Sequence, residues 1–258
     1  KNSEIFNNTI IDNIGWYTED VPEGPRGYGI FLNNSAVNIV INQNNISNNY
    51  IGISVDSNNS TGIVVTSNLI ADNSLEGIRF NAGYDLAENC IEPNITDNAI
   101  YRNAEGPSMM ILGEMSANPF GIYGPGQWDE SLRLQIGPNW YGVNSLRTWD
   151  NDTGIVGVGT MCPRIKTSEI KFETIETESP GSYKINFYKD GELATNLATF
   201  DLYATLNRGT DKQTEVHFNV INGTGSFSFD KENYLENDNK IEISVGSLIN
   251  VVDRIYSV

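Results

Sequence analysis

In the first part of the chain, single apolar residues are threaded between asparagines, as in INQNNISNNYIGISV at 41–55. Aligned on Asn44, the pattern also occurs at Asn8, Asn68, Asn98 and Asn139, with successive spacings of 36, 24, 30 and 41 residues. Three residues before these positions stand Ile5, Ile41, Val65, Ile95 and Ile136; two after stand Ile10, Ile46, Ile70, Ile100 and Tyr141. Five residues after come Asn13, Asn49, Asn73, Asn103 and Asn144. Gly-Ile pairs follow at Gly29-Ile30, Gly52-Ile53 and Gly77-Ile78. Alternation over such short runs is a strand period, not a helical one. A repeat near 24 with Asn and Gly at its corners predicts the coils of a parallel β-helix over residues 1–163. Coils stack at the strand spacing of ~4.8 Å, so equivalent residues lie above one another. Stacked asparagines then form side-chain ladders. Asparagine also tolerates the left-handed backbone that a sharp corner needs.

The departures from 24 mark loops that leave the coil: WYTEDVPEGPRGYG, NAGYDLAENC and MSANPFGIYGPGQWDE. They carry Trp16, Tyr17, Tyr28, Tyr84, Phe120, Tyr123 and Trp128. Such loops either cover the coil or form a contact surface for a carbohydrate or a protein.

After Cys162-Pro163 the repeat stops. From Arg164 to Val258 the runs lengthen, with Lys and Glu on alternate positions. Strands are predicted at 169–175, 183–189, 199–206, 214–221, 224–229, 240–245 and 252–257. Turns at Lys189-Asp190-Gly191-Glu192 and Asn222-Gly223-Thr224 separate them. Seven strands and no helix predict an immunoglobulin-like β-sandwich. The fold class is therefore all-β.

The net charge of -17 excludes nucleic acid and anionic lipid as natural partners, because no basic run offsets it. It suits solubility, tolerance of salt or capture of divalent cations. No apolar run of 18 or more is present, so no membrane span is expected. The chain starts inside a pattern and reads as a piece of a longer protein. Cys90 and Cys162 fit no zinc spacing and are either a disulfide or two buried thiols.

Candidate chemistry is sparse. Asp12, Asn48, Asp72 and Arg102 share a column four residues after the ladder asparagines, and Asp97 sits one residue before one. Such a column is either a polar ladder or a catalytic face, since a glycosidase needs two close carboxylates. A lyase needs a base and a cation, and Arg26, Arg79, Arg102, Arg133 and Arg147 do not cluster along the chain. Arg164-Ile165-Lys166 matches a polygalacturonase tripeptide without that family's Asp pair or histidine motif. His217, the single histidine, reads as a strand residue. Asp150 and Asp152, in Asp-Asn-Asp-Thr-Gly, are either weak calcium candidates or part of a polar turn closing the β-helix, since the downstream Glu of a calcium loop is absent. Asn7, Asn33, Asn45, Asn58, Asn59, Asn94, Asn151 and Asn222 fit the glycosylation triplet. Lys171 and Asn250 suit the strands of an isopeptide bond, but alternation puts Lys171 on the solvent face. No catalytic residue and no cofactor are expected.

PNWYGVN at the end of the coils, then NGTGSFSFDKENY, DNKIEISVGS and VVDRIYSV, resembles the adhesin-like surface proteins of methanogenic archaea. The resemblance implies a right-handed parallel β-helix with pectate-lyase-type Asn-rich repeats, followed by an Ig-like module. It implies an extracellular, cell-surface or cell-wall protein that attaches to a partner-cell protein or glycan without catalysis, the Ig-like module serving as spacer. A carbohydrate-active β-helix enzyme, lyase or glycosidase, is the alternative.

Overall fold

A computed structural model describes residues 2–15, 27–33, 36–55, 62–80, 94–103, 109–111, 135–142, 144, 155–157, 164–236, 238–246 and 248–254. The described residues are all-β apart from one 3-10 turn at Lys231–Asn233. The chain divides into two compact units. The first comprises Lys1–Tyr141 and Ser145–Ser168; the second comprises Gly142–Asn144 and Glu169–Val258.

In the first unit, three parallel sheets each take one strand from successive repeats. The first holds β1 (Ser3–Phe6), β4 (Ile39–Asn42), β7 (Val64–Thr66) and β10 (Asn94–Thr96). The second holds β2 (Thr9–Ile11), β5 (Asn45–Ser47), β8 (Leu69–Ala71) and β11 (Ala99–Tyr101). The third holds β3 (Tyr28–Leu32), β6 (Ile51–Val55), β9 (Glu76–Phe80), β12 (Met109–Ile111) and β14 (Ile155–Gly157). The register sets Ile5 beside Ile41, Ile41 beside Val65 and Val65 beside Ile95. It likewise aligns Ile10, Ile46, Ile70 and Ile100, and Ile30, Ile53 and Ile78. These side chains meet in one core. Burying each aliphatic side chain is worth about 1.5–3 kcal/mol, and this holds the sheets together.

Gly52 is needed at its place. A Cβ there would lie 2.5 Å from Gly77 O, and one on Gly29 would lie 2.6 Å from Gly52 O. The repeats approach too closely at this row for any side chain.

The three-row order ends at β13 (Gln135–Asn139). This strand pairs in parallel with β15 (Arg164–Thr167) in a two-stranded sheet of its own, while β14 joins the third row beside β12. The described sheets therefore do not make a clear right-handed β-helix, which corrects that expectation. β15 belongs to the first unit, which runs to Ser168.

The second unit is one antiparallel sheet. Its strands are β16 (Ile170–Glu176), β17 (Ser182–Lys189), β18 (Glu192–Leu193), β19 (Phe200–Leu206), β20 (Thr214–Ile221), β21 (Thr224–Ser228), β22 (Asn239–Val245) and β23 (Leu248–Arg254). The path is β16-β17-β21-β20-β19-β22-β23, with β18 on β17. β16 and β23 come close to each other, so the sheet is nearly a closed barrel and not two clearly separate facing sheets. Inward aromatic side chains explain the curl: Phe187 packs on Phe200, and Phe227 on Tyr183 and Phe218. Two hairpin turns use positive φ at Asp190 and Gly191 and at Asn222 and Gly223, as two-residue turns require.

Candidate functional site

The asparagine columns are the most organised polar feature. Asn44 donates from its backbone N–H and its Nδ2 to Asn68 Oδ1, at 2.9 and 3.0 Å. The same Nδ2 donates to Ile5 O at 2.8 Å and Asn42 O at 2.9 Å. Asn68 repeats this toward Asn98, and Asn98 toward Asn139. Asn8 starts the column by donating to Asn44. A second column runs Asn13, Asn49, Asn73, Asn103 in the same manner. Asn44, Asn49, Asn68, Asn73, Asn98, Asn103 and Asn139 are buried. The amides of Asn44, Asn49, Asn68, Asn73 and Asn98 join their own repeat to both neighbours, and those of Asn103 and Asn139 bond back to the preceding repeat, so this polarity is used inside the scaffold.

Two features differ from the sequence expectation. The ladder asparagines do not themselves take the left-handed corners. That role falls to the residue before each: Asn7, Gln43, Ser67 and Asp97 in one column, and Asp12, Asn48, Asp72 and Arg102 in the other, with φ between 50 and 63°. The corner turns the chain so that the next side chain points inward. Asn144 also leaves its column. It is exposed, belongs to the second unit, and bonds both the N–H and the carbonyl of Ile170.

The column suspected of chemistry holds an ion pair. Arg102 donates twice to the Asp72 carboxylate, at 2.8 and 2.7 Å, and lies 5.1 Å over the Tyr101 ring. Burial opposes the charge on Arg102, but the hydrogen bond and charge of Asp72 outweigh it and hold its pKa above the usual value. Asp97 lies in the other corner column. The arrangement ties Asp72 to a cation instead of pairing it with a second carboxylate.

The outer side of the third sheet carries a further group. Tyr28 and Phe31 stack at 4.8 Å with 17° between their planes, and Phe31 is exposed. In register with Phe31 come Ser54, fully buried with its hydroxyl unpartnered, and then Arg79. Arg79 holds the buried Glu76 by two hydrogen bonds, from Nε to Oε2 and from Nη2 to Oε1. Sequence reading missed this pair because it asked whether the arginines cluster with one another and not which carboxylate each one faces. The signal was the Gly-Ile pair inside each strand, which returns residues three apart to one side.

In the second unit, His217 lies in β20 beside Asp201 and Tyr203 on an exposed face. Lys171 is exposed and pairs with Glu169 at 3.2 Å. Trp16, Tyr17, Tyr84, Phe120, Tyr123, Trp128, Cys90, Cys162, Asp150 and Asp152 lie outside the described residues. So do the triplet positions Asn58, Asn59 and Asn151. Among the described residues, no cluster of three or more His, Cys, Asp or Glu is placed to hold a metal, and no helix is long and apolar enough to cross a membrane.

No family model, curated protein or solved structure matches the chain. The resemblance to archaeal adhesin-like proteins therefore has no relative behind it, and the architecture it implied is not the one found. What fold and site define together is an all-β, two-unit protein with an asparagine-laddered first unit.

Proposed function

We propose that this protein is a non-enzymatic attachment module, working outside the cell at a surface or wall, that binds a glycan or a protein of a partner cell. In this reading the three rows of parallel strands are the support, and the second unit is an Ig-like sandwich drawn toward a barrel. The observation that carries the reading is the fate of the polar residues. The buried asparagines are committed to bonds between repeats, and Asp72 and Glu76 are each committed to an arginine. What the first unit offers a partner is a stiff support with an aromatic stack, Tyr28 on Phe31, whose Phe31 ring is exposed. Ring faces with nearby polar groups suit sugars and protein side chains alike. Single contacts of this size are weak and gain strength by being repeated on one surface. No cofactor takes part, and removal of divalent cations leaves binding unchanged.

Incubating the chain with a panel of polysaccharides, while measuring retention and released sugar together, tests this. Retention without product is expected. Release of reducing ends or unsaturated sugars would replace the proposal with the carbohydrate-active alternative. Loss of retention after Phe31→Ala assigns the contact to the aromatic stack.

A further inference from the structure

We infer that the second unit carries its own sugar-contact face, centred on Tyr203, and is more than a spacer. The inference does not depend on how the first unit binds.

Tyr203 sits on β19, an interior strand of the antiparallel sheet, with its side chain outward and 58% exposed. A surface tyrosine usually swings freely. This one is held. Its ring lies 4.9 Å from the His217 ring at 49°, directly across the β19–β20 pair. His217 Nε2 in turn lies against Asp201 Oδ1, two residues before Tyr203 on the same strand. Asp201, Tyr203 and His217 are thus an aromatic face with a carboxylate and an imidazole fixed around it, on strands that cannot shift independently. Fixing a ring before binding lowers the entropy lost on contact.

The face continues across the sheet. The pairing of Ala204 with Ile243 sets Tyr203 beside Ser244, which pairs with Ile249. Ser244 and Ile249 are exposed on the same side, Ile249 at 63%. From His217 to Ile249 the row crosses three strand spacings, ~14 Å in all. That is the length of a short oligosaccharide lying flat. Its chemistry alternates imidazole, phenol, hydroxyl and aliphatic groups. The flat C–H face of a pyranose matches the ring and Ile249, and sugar hydroxyls match Asp201, His217 and Ser244.

Charge selects the class of sugar. The carboxylates of Asp201 and Glu215 flank the row, and the chain carries a net charge of -17. Uronic acids and sulfated sugars are repelled there. The occupant is a neutral oligosaccharide of equatorially substituted pyranoses, whose ring faces are free of hydroxyls.

His217 is the only histidine, so its ring protons give one resolved reporter in a proton spectrum of the full chain. Cellotetraose is the probe and tetragalacturonate the anionic comparison. Cellotetraose is expected to move the His217 signals saturably, and tetragalacturonate to leave them in place. Tyr203→Ala, an exposed change that leaves the far-ultraviolet spectrum unaltered, is expected to weaken binding roughly tenfold or more. Asp201→Asn is expected to weaken it less. No movement of His217 at millimolar cellotetraose overturns the inference. So does an equal response in Tyr203→Ala. Shifts that depend on protein concentration without sugar make the face a contact between copies of this chain, and overturn it as well.

Discussion

Gln43 and Ser67 hold left-handed backbone at φ 54 and 58°. Neither is a residue that the conformation favours. Left-handed backbone costs an ordinary residue roughly 1 kcal/mol, so the bonds made by Asn44 and Asn68 must offset it. This explains why the corner was legible only to within one residue. Asparagine is plentiful at both positions, and composition cannot tell a corner asparagine from one facing inward. At Gly52 the requirement is steric. Gly52→Ala would press a methyl group against Gly77 O and destabilise the first unit by about 1–3 kcal/mol, read as a lower urea midpoint. Tyr101 and Tyr141 give a pH test. Burial holds both phenols neutral well above the usual value of about 10; Arg102 opposes this at Tyr101, as does the Asn139 bond at Tyr141. Below pH ~10 folded and unfolded forms are alike neutral, so stability is unaffected. Above it the unfolded chain ionises first, and the folded unit loses stability as pH rises. Absorbance at the tyrosinate band should therefore rise for these two residues only as the unit unfolds. Ionisation of all twelve tyrosines at the ordinary pH, with the fold intact, would contradict their burial.

At the scale of elements, the repeat alone placed the strands of the first two rows. The columns at Ile41 and Ile46 reappear as register partners in β4 and β5 and their neighbours, and those at Asn44 and Asn49 as side-chain hydrogen bonds between repeats. A 24-residue spacing encodes register directly, because a slip would move each inward residue to the wrong side. The third row was less legible, since its strands are followed by insertions of varied length. Arg164-Ile165-Lys166-Thr167 alternates like the strands that follow it, yet β15 pairs with β13, which lies upstream. The outward Tyr203–His217 contact was also out of reach, since it rests on pairing between strands. The ladder itself is testable. Asn68→Leu keeps the volume but leaves Asn44 without its Asn68 acceptor and removes the Asn68 donor from the carbonyls of Ile41 and Thr66, of which Thr66 keeps only the longer bond from the Gln43 N–H. Unsatisfied buried groups cost about 1–3 kcal/mol each, so a loss of at least about 3 kcal/mol is expected on urea titration. Asn2→Ala, in an exposed contact with Asn38, should change stability by under about 0.5 kcal/mol.

For the whole molecule, asparagine-rich stretches such as INQNNISNNY look by composition like polar, unfolded runs. The sequence pattern instead predicted an all-β protein, and the described residues are all-β. Closure of the second unit toward a barrel was not legible, because curvature depends on how Phe187, Phe200 and Phe227 fill the interior and not on strand order. The central claim is that asparagine serves here as an interior structural residue, and that binding falls to outward groups on a stiff support. Exchange of asparagine side-chain amide protons with solvent, followed by nitrogen-edited NMR on the intact chain, addresses it most directly. The amides of Asn44, Asn49, Asn68, Asn73, Asn98, Asn103 and Asn139 should exchange far more slowly than that of exposed Asn2. Exchange of these seven as fast as Asn2 would contradict the ladder, and with it the scaffold on which the proposed function rests.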